Sequence, residues 1–417
     1  MKINPLYLTL GLLFATLSLK AQVSLEEYRR QVVAYSLDLK KSEISTDSSF
    51  EELAKAKTLR LPTLSMSGSF DYSMRRNVGV EQWNFSLMPQ LSQTLYGGGG
   101  VRAEIDSYGL KCDIALCDYD FTYLEVLYAA DYAYWDLLSQ RRYRDAMREY
   151  TEVIKSLKEV VSKRFEEGYI SKGDLLMIST RLSEAEYSLV SAELSYTVSL
   201  HNFNILRGTH SDEAVDVVRV DVDHILPPRR VPLAEVLERR PDYLSAQLSR
   251  DVYEVAVRSV RAAYNPSLSV GVRALWSPYT PNLNGTTRVD GVAFVQLSAT
   301  LFRFGERHRA VAVARAACMG SEITELILHD SIELEETNGW ASVVDTHAQV
   351  RSASEALSIA GENLDISTYS YNEGQVTILD VMQAQISWIQ TYTNAINAEF
   401  NFLVAVSSYN KISVNIN

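Results

Sequence analysis

The side chains able to do chemistry are present but scattered. The six histidines, His201, His210, His224, His308, His329 and His347, form no spaced metal pair of the His-Glu-x-x-His kind. The cysteines Cys112, Cys117 and Cys318 are an odd count, which is not a disulfide framework in an exported chain. Cys112 and Cys117 lie five apart in a helical stretch and point to different sides. They read as small buried hydrophobes, since a metal site needs more ligands than this region has. Gly97 to Gly100 could cradle a phosphate, but no Gly-Lys-Ser/Thr follows, and a strand-to-helix joint is expected instead. No serine nucleophile elbow occurs. No set of residues converges on a reaction, so no catalytic, cofactor-binding or metal-binding residue is assigned and an enzyme is not expected.

The elements that carry these residues start with a leader. Lys2, the apolar run Leu6 to Leu19 and a small-residue cut before Gln22 read as a secretory signal over residues 1–21. The run is too short to be a comfortable membrane anchor, and no Cys near the cut could carry lipid. No later segment holds a long enough apolar run for a transmembrane helix. The net charge of -12 speaks against nucleic acid and against an anionic membrane surface as partners.

The mature chain is written twice at an offset of about 206 residues. Leu61-Pro62-Thr63-Leu64-Ser65 returns as Asn265-Pro266-Ser267-Leu268-Ser269, Gly99 as Gly305, Phe165-Glu166-Glu167-Gly168 as Tyr371-Asn372-Glu373-Gly374, and Asp174 as Asp380. Residues 22–207 form the first repeat, 208–231 an irregular connector with Gly208, Pro227 and Pro228, and 232–417 the second repeat. Each repeat is predicted to hold a helix (about 24–60 and 232–263) and two strands (about 62–74 and 83–95; 266–277 and 290–301). A very long helix (about 101–166 and 306–371) and a return helix (about 172–206 and 377–410) follow. Gly168 and Gly374 suit the tip turns because glycine accepts a positive φ.

The strands alternate. Leu64, Met66, Gly68, Phe70 and Tyr72 share one face, and Thr63, Ser65, Ser67, Ser69, Asp71 and Ser73 the other. A soluble antiparallel sheet gives the same pattern. The predicted lengths suit tilted membrane strands of ~9–11 residues better than ordinary ones of ~5–6, and Tyr72, Trp83, Phe85 and Trp276 near the strand ends suit an interfacial girdle. Four strands cannot close a barrel, so several copies must join, and three would make twelve strands. Pro89 is expected at an edge or a bulge. The polar tips at 75–82 and 278–289 read as external loops. The return helices carry three-four apolar stripes rich in alanine, such as Ile178, Leu182, Ala185 and Ala192, or Val381, Ala384, Ala395 and Ala398. Such stripes give close coiled packing.

These motifs together resemble the TolC-like outer-membrane efflux family. Leu61 to Ser65 and Asn265 to Leu268 resemble its strand starts, and Thr94 to Gly99 and Thr300 to Gly305 its strand-to-helix transitions. Arg240-Pro241-Asp242 resembles its central helix signature, and Tyr371 to Asp380 its tip. The resemblance covers nearly all of residues 24–412.

It implies a homotrimer in outer-membrane lipid: a mostly α fold of long antiparallel coiled-coil helices with a twelve-stranded β-barrel, built on an internal twofold repeat. It also implies an equatorial belt from the N-terminal helix, the connector and the chain end. The resemblance further implies a periplasmic adaptor (membrane fusion) protein and an inner-membrane transporter as partners, with no cofactor.

The strand-to-helix joints are then Gly97, Gly98, Gly99 and Gly305, and the tip turns Gly168 and Gly374. The pore constriction matches Asp380 and, where a second acidic residue is common, Gln383. The tip latch matches Asp174 and Tyr371, while Val376 stands where an arginine is expected, so a weaker latch follows. Both aspartates also read as helix N-terminal carboxylates. Efflux and type I secretion stay open. A periplasmic coiled-coil protein that never enters a membrane is the other reading, separable by detergent dependence.

Overall fold

The computed structural model describes residues 22–72, 74, 82–218, 225, 227–277 and 288–415. The signal segment, most of both strand tips and part of the connector with His224 lie outside the described residues.

In chain order the elements are α1 (Leu25–Tyr35), α2 (Leu37–Lys57), β1 (Thr63–Tyr72), β2 (Trp83–Gly97), α3 (Gly100–Glu166) and α4 (Lys172–Leu206). There follow α5 (Leu233–Arg239), α6 (Pro241–Ala262), β3 (Ser267–Ser277), β4 (Arg288–Ser298), α7 (Glu306–Asn372) and α8 (Ile378–Ile412). α3 and α7 each have 67 residues, and α4 and α8 each have 35. Among the described residues no helix is long and apolar enough to cross a membrane.

Two helices expected as single pieces are each broken. The first breaks at Ser36, whose N–H still bonds Val32 O while its ψ of 122° leaves the helix. The second breaks at Arg240, held extended because the following Pro241 disfavours the helical region for its predecessor. Pro241 then starts α6 at a position where no backbone donor is needed.

The chain forms two compact units: one from residues 1–36, 127–227 and 343–407, the other from 37–126, 228–342 and 408–417. Both repeats contribute to each unit. In the first, Tyr28 stacks on Phe203 at 3.8 Å and donates its hydroxyl proton to Phe203 O at 3.0 Å. Arg29 grips Asp131 through two hydrogen bonds of 2.6 and 2.7 Å.

The second unit holds the sheet, fully antiparallel in the order β1-β2-β3-β4. Directly paired residues share a face. Leu64, Met66, Phe70 and Tyr72 therefore sit with Leu91, Pro89, Phe85 and Trp83. The same face continues through Val270, Val272 and Trp276 to Val295, Ala293 and Leu297. Apart from Gln93, which pairs with Val270 near the helix end, every described side chain on this face is apolar or glycine, whereas the opposite face carries Ser65, Ser67, Ser69, Ser86, Gln90, Arg273 and Gln296 among others. Leu64 is 75% exposed and Val295 73% exposed, so none of the described residues covers them.

Phe70, Tyr72 and Trp83 cluster at the end of this face away from the helices, with ring centroids 5.3 and 4.5 Å apart. Pro89 is not at an edge. It lies in the inner strand β2, and the β2–β3 register skips it, running from Leu87↔Trp276 to Gln90↔Arg273. The missing proline donor leaves that gap.

In the second unit the connector is tied down by a buried carboxylate. Arg230 donates to both oxygens of Glu336 at 2.9 and 2.8 Å, and the Tyr409 hydroxyl donates to Oε1 at 3.3 Å. Tyr409 in turn accepts from the Val231 N–H at 2.9 Å. The Arg230 hydrogen bonds hold the Glu336 carboxyl below its usual range. A depressed carboxyl contributes stability above its unfolded pKa and loses it as pH falls through its folded value. Arg230→Ala should therefore lower stability at neutral pH, less than for a fully buried pair because Arg230 is half-exposed. The gap between variant and parent should shrink as pH falls toward 4, read by thermal unfolding in detergent across pH. A gap independent of pH would count against the pairing.

Candidate functional site: the helical tip

Two helix-to-helix turns in the first unit carry the tip residues assigned from the sequence. α3 ends at Gly168, φ +84°, and α7 at Gly374, φ +75°. Each turn closes with the same two hydrogen bonds: Gly168 N to Phe165 O and Tyr169 N to Arg164 O, then Gly374 N to Tyr371 O and Gln375 N to Ser370 O. This is the Schellman arrangement, whose left-handed residue favours glycine.

The return helices start alike. Ser171 and Thr377 are the cap residues, and Asp174 and Asp380 stand three positions later. Asp174 Oδ2 accepts from Ser171 N at 3.1 Å and Oγ at 2.9 Å, while Ser171 Oγ accepts from Asp174 N at 3.2 Å. Asp380 Oδ2 accepts from Thr377 N at 2.8 Å and Oγ1 at 2.7 Å. Those bonds lower the Asp380 pKa below its ordinary value. Both aspartates are thus helix-capping carboxylates in this chain, as in a capping box.

Asp380 remains exposed, and so does Gln383. They begin a wet stripe along α8. Ser387, Gln390, Asn394, Asn397 and Asn401 continue it at three-four spacing, all exposed. No residue of the stripe after Asp380 is charged. Gln349, Ser352 and Thr391 join its three asparagines around an open cleft of about 410 Å³. The opposite side of α8 buries Ile378, Val381 and Met382 in a core with Ile154, Val161, Ile178 and Leu182. Val376 rests against this core, which is why an apolar residue serves there.

Tyr371 is 4% exposed, and its hydroxyl has no hydrogen-bond partner among the described residues. Within the chain it does not bond Asp174. The residue that meets Tyr371 is Arg164, which motif matching passed over. Its guanidinium lies 4.5 Å from the Tyr371 ring centroid and donates to Tyr371 O at 3.2 Å and Asn372 O at 3.0 Å. These are carbonyls at the C-terminal end of α7, where a cation is favoured. The one available signal was an arginine four residues before Gly168.

At the other group of assigned positions, Gly98 and Gly99 have φ of +64° and +94° between β2 and α3. Asn265 Nδ2 donates to Gly98 O at 2.9 Å. In the second repeat Phe304, φ +41°, and Gly305, φ +82°, take the same two conformations. Gly97 has no positive φ. All three cysteines are free, and Cys112 is buried with its Sγ 3.1 Å from Ser49 O. One histidine is less isolated than its spacing suggested: donor atoms of His329, Asp330 and Glu333 lie within 4.8 Å of one another on α7.

Comparison with known proteins fits this arrangement. The family profile described as "Outer membrane efflux protein" matches residues 29–208 and 233–408, one match in each repeat. Outer membrane protein TolC of Salmonella enteritidis is 22% identical over 97% of this chain and 84% of its own length. Nodulation protein T of Rhizobium leguminosarum bv. trifolii is 21% identical over 93% and 86%. In fold, the chain is similar to CusC, with a TM-score of 0.82, 14% identity and coverage of 94% and 92%. It is also similar to the CmeC outer membrane channel of Campylobacter jejuni, with a TM-score of 0.79, 17% identity and coverage of 93% and 85%. The chain belongs to the outer membrane efflux protein family, and it is an outer-membrane channel subunit of a tripartite efflux or secretion system, with a large periplasmic portion.

Proposed function

We propose that three copies close their sheets into one twelve-stranded barrel and act as a passive exit duct. In this reading a periplasmic adaptor and an inner-membrane transporter open the tip, and the duct itself carries out no chemistry. The observation that carries it is the sheet. One face is apolar at every described position but Gln93 and is left open by the described residues, among which β1 and β4 each leave an edge unpaired. In lipid, open edges are not tolerated, so copies must complete one another. Detergent-extracted protein should run as a heat-modifiable trimer from the outer-membrane fraction. A detergent-independent monomer would end the proposal.

At the tip, Asp380 and Gln383 line the constriction, and the uncharged stripe from Ser387 to Asn401 faces the water behind it. Asp174 and Tyr371 serve as latch positions toward a neighbouring copy. Three Asp380 carboxylates form the charged ring, binding cations and disfavouring anions. Asp380→Asn keeps an oxygen for the cap and removes the charge, so it separates the two roles. Cation selectivity and divalent block in single-channel recordings should drop several-fold while the fold survives. The capping bonds favour the ionised form and repulsion among three carboxylates opposes it, so selectivity should weaken as acid protonates the ring. Unchanged selectivity in the Asn variant would remove Asp380 from the pore.

A further inference from the structure

The whole-chain charge conceals a local reversal. All four junctions between strands and helices lie at one end of the sheet, because β1 and β3 start there and β2 and β4 end there. In the eleven residues next to each strand on that side there are nine Lys and Arg against four Asp and Glu. In the whole chain the balance is the reverse, 40 against 52.

Lys55, Lys57 and Arg60 precede β1, and Arg102 follows β2 in the first turns of α3. Arg258 and Arg261 precede β3, and Arg303, Arg307 and Arg309 follow β4. All nine are exposed. Two are answered within the chain: Arg258 by Asp106 at 3.4 Å and Arg303 by Glu306 at 3.3 Å. The other seven make no ion pair among the described residues, and Glu52 and Glu104 are the only other carboxylates in those windows.

Exposed apolar side chains interleave with them. Leu61, Leu95 and Tyr96 are more than half exposed, Phe302 is 73% exposed, and Leu301 and Phe304 are 95% and 92% exposed. A band of cations mixed with aromatic and aliphatic side chains, directly continuous with an apolar sheet face, matches a membrane–water interface. Rings and chains enter the acyl boundary, and long cationic side chains reach up to phosphates.

We propose that this basic collar binds the phosphate groups of anionic phospholipids in the leaflet nearest the helices, and so sets the depth of the sheet in the membrane. The inference rests on the reading that the apolar sheet face meets lipid. It also revises the expectation drawn from net charge. Charge acts on a membrane surface only within about a Debye length, ~8–10 Å, so the collar and not the remote carboxylates decides the local sign.

The test compares the full-length protein with the variant Lys57→Gln, Arg60→Gln, Arg307→Gln, Arg309→Gln. These four make no ion pair among the described residues, so the Arg258–Asp106 and Arg303–Glu306 pairs stay intact. Detergent-solubilised protein is equilibrated with equal amounts of phosphatidylglycerol and phosphatidylcholine, repurified, and its bound phospholipids are quantified. The parent should hold phosphatidylglycerol several-fold over phosphatidylcholine, and high salt should erase the preference. The Gln variant should lose most of it at equal total lipid, and a variant with Lys at the three arginine positions should keep it. A parent without preference, or a Gln variant that keeps it, overturns the collar. Loss of total bound lipid in both proteins would instead overturn the underlying reading of the sheet. Displacement of phosphatidylglycerol by millimolar inorganic phosphate would show a site for soluble anions and overturn the assignment to lipid.

Discussion

Gly98→Ala should nearly abolish assembled, heat-resistant protein in the outer membrane. A Cβ at this position would stand 2.5 Å from the Ala262 carbonyl oxygen and 2.8 Å from Asn265 Cβ, closer than real contacts allow, and the first of these atoms is backbone. The residue also has φ +64°, which costs a non-glycine about 1–2 kcal/mol. The same displacement breaks the Asn265–Gly98 hydrogen bond that ties α6 to the end of β2. Together the terms exceed about 3 kcal/mol, a large share of an ordinary stability.

The neighbouring glycines separate the terms. Gly305 has φ +82° with open space around it, so Gly305→Ala should lose only the torsional part. Gly97 has no positive φ, and a Cβ there would meet only side-chain methyls, of Val101 at 3.3 Å and Thr94 at 3.6 Å, so Gly97→Ala should be mild. The order Gly98 worst, Gly305 intermediate and Gly97 least should appear in the temperature at which the oligomer dissociates on gels. Equal behaviour of Gly98→Ala and Gly305→Ala would show that the close approach to α6 is unimportant.

Arg164→Ala is expected to loosen the tip. Arg164 supplies two charge-assisted hydrogen bonds to the last carbonyls of α7 and covers the Tyr371 ring. Such bonds contribute about 1.5–3 kcal/mol each when sheltered and less when partly exposed, as here. A combined loss of about 1–2 kcal/mol converts to roughly a five- to thirtyfold change in an open–closed equilibrium if the contacts exist only in the closed form. Single-channel recording should show a higher open fraction for Arg164→Ala. Arg164→Lys should recover little, since an ammonium lacks the fork that spans two carbonyls. If Arg164→Ala keeps the parent's open fraction, the contact is a helix cap and no part of closure.

Much of this was legible in the residues because it is local. Alternation in β1, three-four stripes in α4 and α8, and glycines at the tip turns depend on neighbours within a few positions. The repeat reappears in the helix lengths, 67 residues each for α3 and α7 and 35 each for α4 and α8. The break at Ser36 was hidden under continuous apolar patterning, whereas Arg240-Pro241-Asp242 read as a helix start, and α6 begins there. Pro89 misled because its lack of a donor was read as an edge or a bulge, when a gap in the β2–β3 ladder at Met88 and Pro89 serves as well.

At the tip the balance is different. The spacing Ser171 to Asp174 and Thr377 to Asp380 already determined two capping carboxylates, for a cap is a contact three residues long. Whether Arg164 meets Tyr371, more than two hundred residues away, depends on how two helical hairpins lie side by side. Likewise the nine basic residues of the collar are dispersed over four segments and invisible as a cluster in the chain. Period and spacing on the chain decide which backbone conformations form. Only antiparallel pairing decides which distant side chains share an end of the sheet or a turn of the tip, because that proximity is a property of space and not of sequence separation.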